Sequence, residues 1–96
     1  MLEQYLEVVE GDKNDRELLL FALSTCGWCR KARNFLNSNN FAYRYVYVDL
    51  LEGDSQKEVF EEFKKHNPRK TFPTLIVDED EIIVGFNEDR YKEALL

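Results

Sequence analysis

The hydrophobic pattern changes period several times, and each change marks an element. Glu17 to Leu23 is apolar without a break from Leu18 onward, the pattern of a strand covered on both faces and paired on both edges. It should be a central, parallel strand. From Gly27 a helical period takes over, with Cys29, Ala32, Phe35 and Leu36 on one face and Arg30, Lys31, Arg33 and Asn34 largely elsewhere. Asn37-Ser-Asn-Asn40 ends that helix with residues that tolerate left-handed geometry. Ala42 to Val48 alternates, placing Tyr43, Tyr45 and Tyr47 on one face and Ala42, Arg44, Val46 and Val48 on the other. Strand, helix and strand at this length predict a right-handed crossover and a parallel pair. Ser55-Gln-Lys-Glu58 reads as a capping box opening a second helix with Val59, Phe60 and Phe63 as its apolar stripe. His66 to Thr71 is a helix exit and loop, and Phe72-Pro73-Thr-Leu-Ile-Val77 starts a strand on a proline. The acidic turn Asp78 to Glu81 leads into Ile82-Ile-Val84, which predicts an antiparallel hairpin. Asn87 can N-cap a last helix with Tyr91, Ala94 and Leu95 on its inner face.

Residues 1–16 are less periodic. Tyr5 to Val9 can be a short edge strand, with Gly11 to Asp15 turning it as a hairpin onto the next strand, and a disordered tail is the competing expectation. The resulting order is β-α-β-α-β-β-α, with room for one extra strand at the N-terminus. This predicts an α/β fold of three layers, a four-stranded mixed sheet with helices on both faces.

Composition narrows the picture. The 96 residues suffice for one domain and one core. The longest apolar run, Leu18 to Leu23, is far shorter than the ~18–20 residues a spanning helix needs, so no membrane association is expected. The N-terminus carries acid where a secretory signal carries base, which points to a cytoplasmic protein. A net charge of −6 argues against nucleic acid and anionic membrane as partners.

Two cysteines, Cys26 and Cys29, lie where the buried strand passes into the first helix. One helical turn brings their sulfurs within disulfide range. The positive end of the helix dipole and its unpaired N–H groups favour negative charge on the first sulfur. The second lies one turn inside, better placed to resolve a mixed disulfide than to start one. Arg30, Lys31 and Arg33 follow at once in an otherwise acidic chain. A lone Cys-x-x-Cys pair in this position points to catalytic dithiol chemistry in a reducing compartment and not to a disulfide scaffold.

Cys26-Gly-Trp-Cys29 after a buried strand, Thr71-Phe-Pro73 opening a later one, and Gly85-Phe-Asn-Glu-Asp89 before the last helix together resemble the glutaredoxin family of the thioredoxin fold. The likeness covers 17–96 as a glutaredoxin-like domain and leaves 1–16 as an extension. It implies that Cys26 is the nucleophile and Cys29 the resolving thiol. It also implies a cis Pro73 that presents the Phe72 backbone to an extended peptide or glutathione as an added strand. Trp28 and Arg30, beside the cysteines, are expected to contact the partner, together with Gly85 and Phe86. Relatives that use glutathione usually carry a lysine before the first cysteine, a tyrosine beside the second and a Gly-Gly pair before the last helix. The matching positions hold Leu23, Trp28 and Gly85 followed by Phe86. The Gly-Phe form is similar to small glutaredoxin-like electron donors that resemble ribonucleotide reductase partners. Arg69 and Lys70 can supply positive charge from the neighbouring loop.

The expected activity is therefore thiol–disulfide oxidoreduction by a monomer acting on disulfides of proteins or small molecules. No bound cofactor and no metal are expected; the redox-active disulfide is reset by a flavoprotein dithiol reductase or a low-molecular-weight thiol. Two rivals follow from the same cysteines. An iron–sulfur carrier would need Cys26 from each of two protomers and two outside thiols, since two cysteines cannot fill a four-thiolate site. A redox-inert binding module would use both cysteines as core.

Overall fold

The computed structural model describes residues 3–67 and 71–96. Its five-stranded sheet has the order β1-β3-β2-β4-β5, built from Glu7–Val9, Tyr43–Tyr47, Leu18–Ala22, Thr74–Val77 and Glu81–Val84. β2 pairs parallel with β3 and antiparallel with β4, so the most apolar strand is bonded along both edges. Three helices complete the order: α1 at Gly27–Ser38, α2 at Gly53–His66 and α3 at Glu88–Leu95.

Strand alternation sorts the core into two layers. Leu18, Leu20 and Ala22 of β2 face one way, with Tyr43, Leu75, Val77 and Ile83. There they meet Cys29, Ala32, Phe35 and Leu36 of α1 and Tyr91 and Leu95 of α3. Phe21 faces the other way with Val46, Val48 and Ile76, and α2 covers them with Val59 and Phe63. The rings of Phe21 and Phe63 lie 5.0 Å apart there. The three-layer α/β architecture expected from the periodicity is the one observed, with the N-terminal strand as its fifth.

That strand does not pair as the hairpin expectation placed it. β1 runs antiparallel to β3, with Glu7 opposite Tyr45 and Val9 opposite Tyr43. Both edges of β2 are already occupied, so the free edge of β3 is the available partner. The segment after β1 is fixed too. Lys13 donates its N–H to Asn40 O and accepts from Ala42 N–H, both at 2.9 Å. Gly11 passes so close to the α1–β3 connection that a Cβ there would lie 2.5 Å from the Phe41 carbonyl carbon.

Two boundaries also move. α2 begins at Gly53, with Glu52 as N-cap and no side-chain cap bond, so Ser55-to-Glu58 is not a capping box. The chain turns at Gly53, whose φ of +58° lets the helix start earlier than Ser55. The Gln56 side chain instead donates to the Val48 and Leu51 carbonyls, tying the helix to the preceding turn. β4 begins at Thr74, one residue after Pro73, because a proline has no N–H for the ladder. The acidic hairpin turn is as expected in place, and Asp78 and Glu79 both take positive φ, which matches the twist of the flanking strands. Asn87 caps α3 by accepting the Arg90 N–H.

Candidate active site

The site lies where β2 runs out. Cys26 is the N-cap of α1, and its Sγ accepts the Cys29 N–H at 3.2 Å, a role usually taken by Ser, Thr, Asp or Asn. Cys29 Sγ, one turn on, accepts the Leu23 N–H at 3.5 Å. Both cysteines are free thiols, Cys26 half-buried and Cys29 only 1% exposed. Burial, aided by the hydrogen bond to Cys26, pushes the Cys29 thiol up to about 12. Cys29 is therefore held as a thiol at neutral pH, beside a sulfur that solvent can reach.

The loop before Cys26 is held from β3's side. Asp49 accepts from both the N–H and the hydroxyl of Ser24. These bonds hold the Asp49 carboxyl below its usual range. Neither residue stood out in the sequence, because the pair joins positions 25 apart.

Pro73 arrives from the other side. The β2–β4 register pairs Phe21 with Thr74. Continued by one and two residues, it brings Pro73 abreast of Ala22 and Phe72 abreast of Leu23, at the end of the sheet that carries the cysteines. The Phe72–Pro73 bond is cis. Gly85 donates its N–H to Pro73 O at 2.7 Å with φ of +78°, so the glycine is required there for its backbone conformation. Below this corner Asn67 is buried, and its side-chain amide reaches Thr74 Oγ1 at 2.9 Å and Thr71 Oγ1 at 3.1 Å. The sequence reading missed Asn67, whose position in a helix exit carries no signal by itself.

Of the residues singled out around the cysteines, Trp28 is 58% exposed, with Lys31 Nζ 4.5 Å from its ring centre. Arg30 is exposed on the next position after Cys29. Phe72 is half-buried, its ring stacked on Phe63 at 4.8 Å. Phe86 is also half-buried and packs on Tyr91 at 4.8 Å and Phe35 at 6.1 Å, so much of its ring serves the core. Arg69 and Lys70 lie outside the described residues. A shallow groove beside the cis corner is lined by Leu23, Asp49, Gln56, Lys57, Phe60 and Phe72.

A sheet of this order, with a Cys-x-x-Cys pair at a helix start and a cis proline abreast of it, defines a dithiol protein of the thioredoxin-like class. The family model for glutaredoxin matches residues 18–82, and the chain belongs to the glutaredoxin family. It is 33% identical over 69 residues to an uncharacterised glutaredoxin-like 8.6 kDa protein of the rubredoxin operon of Clostridium pasteurianum, covering 72% of this chain and 84% of that one. Among solved structures, a glutaredoxin from Methanosarcina mazei superposes with a TM-score of 0.83 at 37% identity, over 95% of this chain and 87% of its own. Methanoredoxin from Methanosarcina acetivorans gives a TM-score of 0.83 at 35% identity, covering 88% of each chain. Among the described residues no helix is long and apolar enough to cross a membrane.

Proposed function

We propose that the chain is a dithiol electron carrier that reduces disulfides of proteins or small molecules through Cys26 and Cys29. The observation that carries the reading is the asymmetry of the pair. The reachable sulfur caps a helix and receives an N–H, and its neighbour is enclosed and protonated.

Cys26, as thiolate, attacks one sulfur of the substrate disulfide; the Cys26–substrate bond forms, the substrate S–S bond breaks, and one substrate sulfur leaves as thiolate. Cys29 then gives up its proton and attacks Cys26 Sγ, releasing the second substrate thiol and closing the Cys26–Cys29 disulfide. Two electrons pass to the substrate. An external dithiol, or two equivalents of a small thiol, returns them by the reverse exchange. Substrate chain pairs with the Phe72 backbone as an added strand, while Trp28, Arg30, Gly85 and Phe86 border it and Arg69 and Lys70 add charge.

The test separates the two thiols. Cys26→Ser should abolish reduction of a generic disulfide. Cys29→Ser should leave the first attack intact and accumulate a mixed disulfide, detected as an adduct by intact-mass measurement. Equal residual turnover in both variants would refute the assignment.

A further inference from the structure

Arg33 holds an unusual position for a cation in an acidic protein. Its guanidinium lies over the Tyr45 ring, with Cζ 3.8 Å from the ring centre. It donates through Nε to Tyr43 Oη and through Nη1 to Tyr47 Oη, each at 3.0 Å. Tyr43 passes its own hydrogen to Asn37 Oδ1 at 2.8 Å. The side chain is half-buried, and among the described residues no carboxylate pairs with it. Asp and Glu number 19 in this chain, so acidic partners are abundant elsewhere. Burial works against the charge, and the hydrogen bonds to Tyr43 and Tyr47 more than restore it.

Three phenols orient the cation without neutralising it. Two of its N–H groups are engaged, on Tyr43 and Tyr47. The remaining ones, and the Tyr47 O–H, are donors without an acceptor among the described residues. The two phenol oxygens are taken up as acceptors by Arg33 and the Tyr43 hydrogen by Asn37, so what the cluster offers outward is the remaining guanidinium N–H groups, the Tyr47 O–H and a fixed positive charge, a combination that receives an anion.

Its location supplies the identity of that anion. Cys26, Arg30 and Arg33 fall at i, i+4 and i+7, one stripe along α1 whose far end, Arg33, reaches Tyr47 of β3. α1 carries no acidic residue from Gly27 to Ser38. Tyr47, which holds Arg33, is paired with Ala22, just before the cysteine loop. Along the helix axis Arg30 lies ~6 Å and Arg33 ~10 Å from Cys26. An extended chain advances ~3.3 Å per residue, so these distances correspond to about two and three residues.

We propose that Arg30, which is exposed, and Arg33, which is held on the tyrosines of β3, select disulfide-bearing polypeptides with Asp or Glu about two to three residues from the reacting cysteine. The proposal rests on the redox reading above and specifies its substrate class. The acidic residues ride along the stripe while the substrate disulfide meets Cys26.

The experiment uses two peptides, each carrying one cysteine as a mixed disulfide with thionitrobenzoate. One has Asp at the second and third positions on both sides of the cysteine, and the other has Asn there. The acidic peptide should react with the wild-type protein about five- to twentyfold faster in kcat/KM at low ionic strength, and the advantage should shrink at about 0.5 M salt. Arg33→Gln should bring the ratio of the two rates close to one, and Arg33→Lys should keep part of it, because the charge stays while the forked geometry is lost. Equal rates in the wild-type protein would overturn the docking proposal and leave the redox reading standing, as would a ratio unmoved by Arg33→Gln. Failure to reduce either peptide would overturn both. The salt series needs no variant, so it decides the matter even where a substitution unfolds the chain.

Discussion

Tyr91 is fully enclosed, its ring edge-on to Phe35 at 5.6 Å and to Phe86 at 4.8 Å, and its hydroxyl has no hydrogen-bond partner among the described residues. Burial pushes that phenol well above the usual tyrosine range, with the nearby Cys29 adding to the effect. An orphaned buried hydroxyl costs about 1–3 kcal/mol. Tyr91→Phe should therefore raise stability by about 1 kcal/mol, read as a higher urea midpoint at unchanged slope; a fall in the midpoint would mean that the hydroxyl has a partner in solution. Asp49 makes the opposite contribution. Its folded carboxyl is depressed by the Ser24 bonds, so its stabilisation is present above the unfolded carboxylate value near pH 4 and is lost as pH falls through the folded value. Ser24→Ala should return the Asp49 titration, followed by carboxyl NMR, towards the ordinary value. At this scale the sequence was informative only where chemistry is local. Cys26 and Cys29 could be read from their spacing, whereas the Ser24–Asp49 bond, Asn67 and the exclusion of water from Tyr91 depend on residues that only the fold brings together.

Elements were more legible than their partners. The α1 stripe named from the helical period is the buried face observed, and the alternation of β3 placed its tyrosines and valines on opposite layers. Sheet order was less accessible, because pairing β1 with β3 is decided by which edge remains free after β2 is occupied. The Ser55 capping signal failed because a glycine with positive φ two residues earlier competes for the start of the helix. The N-terminal element depends on a close backbone approach at Gly11. A methyl there meets the backbone of Phe41, Ala42 and Asn40, atoms that cannot swing away. Gly11→Ala should cost about 1–3 kcal/mol, and amide exchange over residues 7–13 should rise more than in β2. Uniform protection in the variant would show that the connection relaxes without releasing β1.

For the whole molecule, the distribution of charge matters more than its sum. We expect glutathione to be a poor reductant, since the position where glutathione-using relatives keep a lysine holds Leu23 and a second glycine is replaced by Phe86. A charge-assisted hydrogen bond contributes roughly 1.5–3 kcal/mol, so losing one should weaken recognition about tenfold to a hundredfold. The measurement is turnover of one disulfide with glutathione and its reductase against a flavoprotein dithiol reductase at matched reducing power. Faster turnover with glutathione, slowed by Arg69→Ala, would assign the missing contact to the loop. The family and the layer order were legible because three motifs and the hydrophobic periods agree; the setting of Arg33 was not, because it is a helix residue whose partners sit on a strand ten and fourteen residues on. The central place of β2 has one more result. Leu20 is bonded to β3 on one side and β4 on the other and is covered by helices, so a fluctuation that bares it must dismantle most of the sheet. The cysteine loop grows directly from that strand and is anchored at its other end by α1. The protein thus mounts its cysteine pair on the part of its framework least given to breathing, so the surface around the two sulfurs is already shaped, with little ordering left to be done in any encounter there.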